Sequence, residues 1–217
     1  MNIILFGPPG IGKGTQADIL SAGMRIPKIS SGDILREEAA KGTAVGKTIK
    51  NYMVRGELVP DEISMKIVKQ RLHQPDCRNG FILDGFPRTI AQAEDVDKTS
   101  RIDIVINLYA PKKELIERMA GRLTCKSCGS IFHIKHAPPK TKGVCDKCGG
   151  SLYFREDQKA EVVERRIEVY ERQTKPLISY YENKGILANV DAKGNKDEVA
   201  KNVSKAIGEF RKRKGMT

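Results

Sequence analysis

Gly7-Pro8-Pro9-Gly10-Ile11-Gly12-Lys13-Gly14-Thr15 follows a short apolar run from Met1 to Phe6 and precedes Gln16-Ala17-Asp18-Ile19-Leu20, which has the composition of a helix start. Strand, glycine-rich loop, lysine and helix in that order predict a phosphate-binding loop. The glycines let successive backbone N–H groups turn inward, forming a nest for phosphate oxygens at a helix N-terminus. Lys13 places a point charge over the outer phosphates. The general pattern has Ser or Thr directly after the lysine; here Gly14 intervenes before Thr15, which narrows the family.

Outward from this loop, a second apolar run, Phe81-Ile82-Leu83, ends in Asp84-Gly85-Phe86-Pro87-Arg88. A strand there delivers Asp84 to the phosphate side of a sheet, the usual place for a carboxylate that organises Mg²⁺ and its waters. By composition alone Asp84 also fits a plain strand-end cap. Gly85 and Pro87 shape a loop from which Arg88 can be aimed.

The intervening pattern alternates strand and helix. Pro27 to Ser30 reads as extended, and Ser31-Gly32-Asp33 as capping residues before a helix over 34–40. Helical spacing covers 45–55, breaks over 56–61, and resumes from Asp61 to about Leu72. A helix is expected over 89–97, a strand over 102–108, and a helix from Pro111 to about Leu123. A long polar helix is expected from Lys159 to Tyr181, broken at Pro176, then a strand over 185–190 and a C-terminal helix. This order predicts an α/β fold, a parallel sheet with helices on both faces. Gly7 and Asp84 then share the C-terminal edge of the sheet, where ligands bind.

The 217 residues suffice for one core with small inserted lobes. With 39% hydrophobic and 30% charged residues, and no apolar run near the length of a membrane span, the chain reads as cytoplasmic and without a membrane partner. The net charge of +12 is spread along the chain, densest at Arg211-Lys212-Arg213-Lys214, and fits small anionic ligands. Six per cent aromatics and no Trp argue against a base-stacking platform, and so against nucleic acid.

Cys125-Lys126-Ser127-Cys128 and Cys145-Asp146-Lys147-Cys148 form two C-x-x-C hooks sixteen residues apart, each followed by glycine. That is the spacing of a four-thiolate zinc site, with Cys125, Cys128, Cys145 and Cys148 as ligands. Four protein ligands leave no open position, so the metal is read as structural, one per chain. A lobe of about thirty residues has too little core to fold without such a staple. Cys77 stands apart as a structural thiol, and His133 and His136 as surface or packing residues.

With these segments in view, the sequence resembles the adenylate kinases, over essentially its whole length. Gly7 to Thr15 is similar to that family's phosphate loop, including the extra glycine. Ser31-Gly32-Asp33-Ile34-Leu35-Arg36 resembles its monophosphate segment, and Asp84-Gly85-Phe86-Pro87-Arg88-Thr89 with Gln92 its most diagnostic stretch. The four-cysteine insertion resembles the zinc-bearing lid of many bacterial members.

The resemblance implies a phosphate-loop NTPase-like sheet with a core of 1–29, 60–121 and 160–217, an AMP-binding lobe at 30–59 and a zinc-ribbon-like lid at 122–159. It implies a monomer performing ATP + AMP ⇌ 2 ADP with Mg²⁺. Gly10, Ile11, Gly12, Lys13, Gly14 and Thr15 would hold the ATP phosphates, Arg118 would pack on the ATP adenine, and Arg122 would reach the phosphates. Ile131, Phe132 and Gly194 complete the implied ATP site. Ser31, Arg36, Glu57, Leu58, Val59, Gly85, Phe86, Pro87, Arg88 and Gln92 would hold AMP, with Gln92 reading the adenine edge. Arg155 and Arg166 would clamp the phosphoryl group and the AMP phosphate.

The chemistry asks for this inventory independently. A phosphoryl group in flight spreads negative charge over its equatorial oxygens, so catalysis is positioning plus cationic stabilisation. Lys13, Arg36, Arg88, Arg122, Arg155 and Arg166 supply that charge, with Asp84 beside the metal. Two positions depart from the family pattern: Ser31 stands where Thr is usual, and Asp157-Gln158 where two acidic residues are usual. A kinase for another monophosphate, such as UMP or CMP, and a zinc-ribbon nucleic-acid-binding protein remain as alternative readings. A lid that closes over the core is expected, because Arg122 and Arg155 flank the insertion and Lys13 does not.

Overall fold

β1 (Asn2–Phe6) has side chains that alternate between two buried faces, as expected of a central strand covered on both sides. The computed structural model describes residues 1–155, 157 and 159–215. Among them, β1 pairs in parallel with β3 (Phe81–Asp84) on one side and β4 (Ile104–Tyr109) on the other. β2 (Lys28–Ser30) adds beyond β3, and β8 (Leu187–Asp191) beyond β4. The sheet order is therefore β2-β3-β1-β4-β8, and the chain reverses its winding direction at β1. The loop after β1 thus opens at the topological switch point, where such sheets take their ligands.

One face packs Ile3, Leu5, Ile82, Ile104 and Ile106 under α1 (Lys13–Met24) and α9 (Lys196–Lys214). The opposite face packs Ile4, Phe6, Leu83 and Val105 against α4 (Asp61–Leu72), α5 (Ile90–Thr99) and α8 (Leu177–Asn183). α2 (Ser31–Ala40) and α3 (Ala44–Val54) enclose a separate small core of Leu35, Ile49 and Val59. After α6 (Lys112–Ala120), the chain forms an antiparallel sheet in the order β6 (Ile131–His133), β5 (Arg122–Cys125), β7 (Leu152–Tyr153). α7 (Ala160–Val169) then returns to α6 through Met119, Val163 and Ile167. No helix among the described residues is long and apolar enough to cross a membrane.

Three local readings need correction. α2 begins at Ser31, three residues before the expected start, and its cap is Ser30, whose Oγ accepts the Asp33 N–H at 3.3 Å. α6 stops at Ala120, short of Leu123, because Arg122 to Cys125 is drawn into the antiparallel sheet. The expected long helix is interrupted by a π-helical turn, Tyr170–Thr174, before α8 starts just after Pro176. Gln158 lies outside the described residues.

Candidate active site

The phosphate loop runs from β1 into α1 through Gly12, whose φ of 95° is a conformation that a side chain disfavours. Gly10 lies against α6: a Cβ there would come within 2.8 Å of the Leu115 carbonyl oxygen and 2.6 Å of Met119. Lys13 curls back over the loop, donating from Nζ to the carbonyl oxygens of Gly7 at 2.8 Å and Pro8 at 2.9 Å. Burial pushes its ammonium down to about 7, against the pull of Asp84, while Arg88, Arg166 and Arg122 add repulsion. Lys28, which the sequence did not single out, tethers the first turn of α1 by donating to the Gly14 carbonyl at 3.2 Å and to Asp18 at 2.9 Å.

Asp84 ends β3, buried beside the same turn; a Cβ on Gly14 would lie 3.2 Å from its Oδ2. Burial raises its pKa, and Lys13 and Lys28 oppose that shift. A buried carboxylate against a phosphate loop fits a Mg²⁺-organising group.

Ser31 is freed from capping and donates from Oγ to the Gly85 carbonyl at 2.7 Å. Arg88 is held from the same carbonyl through Nε, also at 2.7 Å. Gln92, only 2% exposed, is fixed by three partners. Its Oε1 accepts the Arg88 N–H at 2.7 Å, and its Nε2 donates to Asp61 at 2.7 Å and to Ser64 Oγ at 3.1 Å. Asp61 also accepts from Thr89. Asp61 and Ser64 carried no motif in the sequence beyond a helix start, and only their packing against α5 reveals them.

Several of these groups line one cleft that opens to solvent. Its walls bring together Lys13, Ser31, Arg36, Glu57, Leu58, Val59, Gly85 to Arg88, Gln92 and Arg166. Arg166 and Arg155 both donate to the Asp157 carboxylate. Burial pulls Arg166 down to about 9, with Asp157 opposing. Burial, and then repulsion from Arg155, lowers Arg122 to about 10. Burial would raise Asp157, but Arg166 and Arg155 hold it below the usual carboxylate range. The six cations singled out in the sequence thus form one electrostatic cluster around Asp84 and Asp157.

Arg118 sits to one side, donating to the carbonyl oxygens of Ile11 at 3.3 Å, Ala192 at 2.9 Å and Gly194 at 3.2 Å. That joins Arg118, Ile11 and Gly194, three residues from distant segments. Ile131 and Phe132 lie on β6 and do not line the cleft.

The four cysteine Sγ atoms lie within 4.8 Å of one another, with Cys125–Cys148 at 3.5 Å and Cys128–Cys145 at 3.6 Å. A tetrahedral zinc–thiolate site has sulfur–sulfur edges of about 3.8 Å, so the donor set and spacing fit zinc. Gly129 and Gly149, the glycines after each hook, turn the chain with φ near 70° (69° and 73°).

A sequence profile described as adenylate kinase matches residues 5–186. The chain is 54% identical over 213 residues to an adenylate kinase of Caldicellulosiruptor saccharolyticus, an alignment covering 96% of this chain and 99% of that one. It is 55% identical over 202 residues to an adenylate kinase of Archaeoglobus fulgidus, covering 91% and 92%. An adenylate kinase of Methanocella arvoryzae is 50% identical over 212 residues, covering 95% and 98%.

Proposed function

The chain belongs to the adenylate kinase family, and from that premise we propose how its residues carry the reversible transfer ATP + AMP ⇌ 2 ADP. The observation that carries this reading is the cleft that joins Lys13, Arg36, Arg88 and Arg166, with Arg155 beside Arg166 on Asp157 and Arg122 near enough to both to repel them. Cations held in a low-dielectric site stabilise an in-flight phosphoryl group without reorganising at the moment of transfer.

Gly10 to Thr15 hold the ATP phosphates, and Lys13 leaves the Gly7 and Pro8 carbonyls for the outer ones. Arg118 and Gly194 border the ATP base, with Ile131 and Phe132 brought over it by movement of their lobe. Ser31, Arg36 and Arg88 take the AMP phosphate, and Glu57 to Val59 the nucleoside. Asp84 would help hold the Mg²⁺ that accompanies ATP, which would supply positive charge against the phosphates. Arg122, Arg155 and Arg166 close on the transferring group. No general base is needed, because the attacking AMP oxygen is already anionic.

Specificity follows from Gln92. Both its amide hydrogens are donated, and Oε1 keeps a second lone pair. A lone pair facing the base favours an exocyclic amine, as in adenine, over the carbonyl of UMP or GMP.

The core is 1–29, 60–121 and 160–217, the AMP lobe 30–59, and the lid 122–159 with a structural zinc. A small core of its own in 30–59 and a separate antiparallel sheet in 122–159 support these boundaries. Because one chain supplies the whole cleft, we read the enzyme as a monomer. It acts on ATP, AMP and ADP, with no nucleic-acid or membrane partner. Four thiols spaced for a metal fit a reducing cytoplasm.

A coupled assay with ATP against AMP, CMP, UMP and GMP tests the reading. AMP should be preferred by at least a hundredfold in kcat/KM, and Gln92→Leu should raise the KM for AMP about tenfold. Equal use of UMP would overturn the specificity argument.

A further inference from the structure

His133 ends β6 directly opposite Arg122 in the antiparallel register, and it is buried. Its Nδ1 accepts the backbone N–H of Lys135 at 3.0 Å and of His136 at 3.1 Å. Its Nε2 lies 3.3 Å from the carbonyl oxygen of Glu117, in the last turn of α6. A carbonyl only accepts, so Nε2 carries the hydrogen. Two N–H groups only donate, so Nδ1 carries none. The surroundings therefore fix one neutral tautomer. The Glu117 carbonyl is among the last four of its helix, which lack partners within the helix.

The contact is tight. A Cβ on Gly121, the residue that ends α6, would come within 2.4 Å of the imidazole. The Ile134 N–H donates to the Gly121 carbonyl at 2.9 Å, adding a backbone bond across the same joint. The other side of α6, through Leu115 and Met119, rests on Gly10 of the phosphate loop. One short helix thus connects the phosphate loop to the root of the four-cysteine lobe.

We propose that His133 is a positioning residue: while neutral it locks the root of the lobe to α6 and so sets Arg122 for the ATP phosphates, and on protonation it releases both. The inference rests on the phosphate role proposed above for Arg122. A proton on Nδ1 would face two N–H donors, so both of those bonds must break. The ionisable groups facing the ring are Glu117 on α6, and Lys135 and His136 in the loop after β6. Lys135 Nζ lies 3.8 Å from the Glu117 carboxylate, and the His136 ring centroid lies 4.4 Å from that of His133. Burial pushes His133 below the usual histidine range, the Glu117 contact opposes this, and the charges of His136 and Lys135 add to it. The lock is therefore complete above the ordinary histidine pKa and is lost as pH falls through the lowered one.

The test uses the full-length, zinc-loaded protein with ¹⁵N-labelled histidine, titrated from pH 7.5 to 5. Nitrogen shifts should report the Nε2–H tautomer at pH 7.5. Amide protection of Ile134, Lys135 and His136 should fall together as His133 protonates. Over the same range ATP affinity should drop about tenfold and AMP affinity less than threefold. His133→Asn keeps an acceptor for the two N–H groups and cannot gain a proton, so the acid loss of ATP affinity should vanish. His133→Ala should weaken ATP binding about tenfold even at pH 7.5. An Nδ1–H tautomer, or amide protection indifferent to protonation, overturns the lock from the unaltered protein alone, whether or not the variants fold. An unchanged acid loss in His133→Asn overturns the coupling to ATP. Arg122→Ala with unaltered ATP affinity would refute the phosphate role of Arg122 and the ATP half of this proposal, separately from the tautomer.

Discussion

Arg166 donates from Nη1 to the Asp157 carboxylate at 2.9 Å, and the oxygen it meets also accepts from Arg155. One carboxylate thus occupies the two guanidinium groups proposed above to clamp the phosphoryl group. Asp157→Asn should destabilise the protein by about 3 kcal/mol, because it leaves two buried cations without their counter-charge. Saturating ADP should then raise the melting temperature of the variant more than that of the parent, since phosphates replace the missing charge. Thermal melts with and without ADP decide this, and an equal ligand shift in both proteins would rule out the substitution of phosphate for Asp157.

Lys13→Ala should lose on the order of a thousand-fold in turnover while keeping its fold, because the ammonium meets phosphoryl charge that the loop's N–H groups only partly offset. Steady-state kinetics alongside circular dichroism check both halves. Near-normal turnover in a folded variant would remove Lys13 from the chemistry.

The lowered ammonium of Lys13, at about 7, sets a proton linkage. A bound polyphosphate favours the charged form and raises that pKa, so ADP binding at pH 8 should take up to about one proton through Lys13. Affinity should decline as pH rises above 7, where the free site increasingly lacks this charge. Calorimetric titration at pH 8 in buffers of different ionisation heat measures the uptake. Lys13→Met should take up correspondingly less, and no difference between the two proteins would exclude the linkage.

Each chain should carry one zinc ion on Cys125, Cys128, Cys145 and Cys148, as metal analysis of untagged protein would report. Removing it should unprotect the amides of β5, β6 and β7 in hydrogen exchange while those of β1 and β4 stay protected, because the metal stabilises the lobe that folds around it. Equal loss of protection in the parallel sheet would mean the metal holds more than its lobe.

The site was legible wherever its chemistry lies in contiguous residues. The phosphate loop, the Asp84–Arg88 turn and the two cysteine hooks each state their geometry locally, because the ligand atoms are neighbours in the chain. Ser30 and Ser31 show where that legibility stopped. Both can cap a helix, and only the Gly85 carbonyl beside Ser31 decides which one does. Asp61 likewise read as the start of a helix until α4 packed it against Gln92. The end of α6 was misplaced because helix spacing continues past Gly121, while pairing with β6 and β7 draws the next residues into a strand.

The sequence by itself determined the fold class, the glycine-rich loop between a strand and a helix, and the two cysteine hooks spaced for a metal, since hydrophobic periodicity and short-range spacing fix those without distant partners; the set of arginines came from the family resemblance. Tertiary structure alone decided that Arg155 and Arg166 share Asp157, that Lys28 tethers the loop at Gly14, and that His133 joins its lobe to α6 as a single tautomer. These depend on charges and hydrogen-bond partners from separate segments. Their strength comes from being buried together, and burial is set only when the chain is folded.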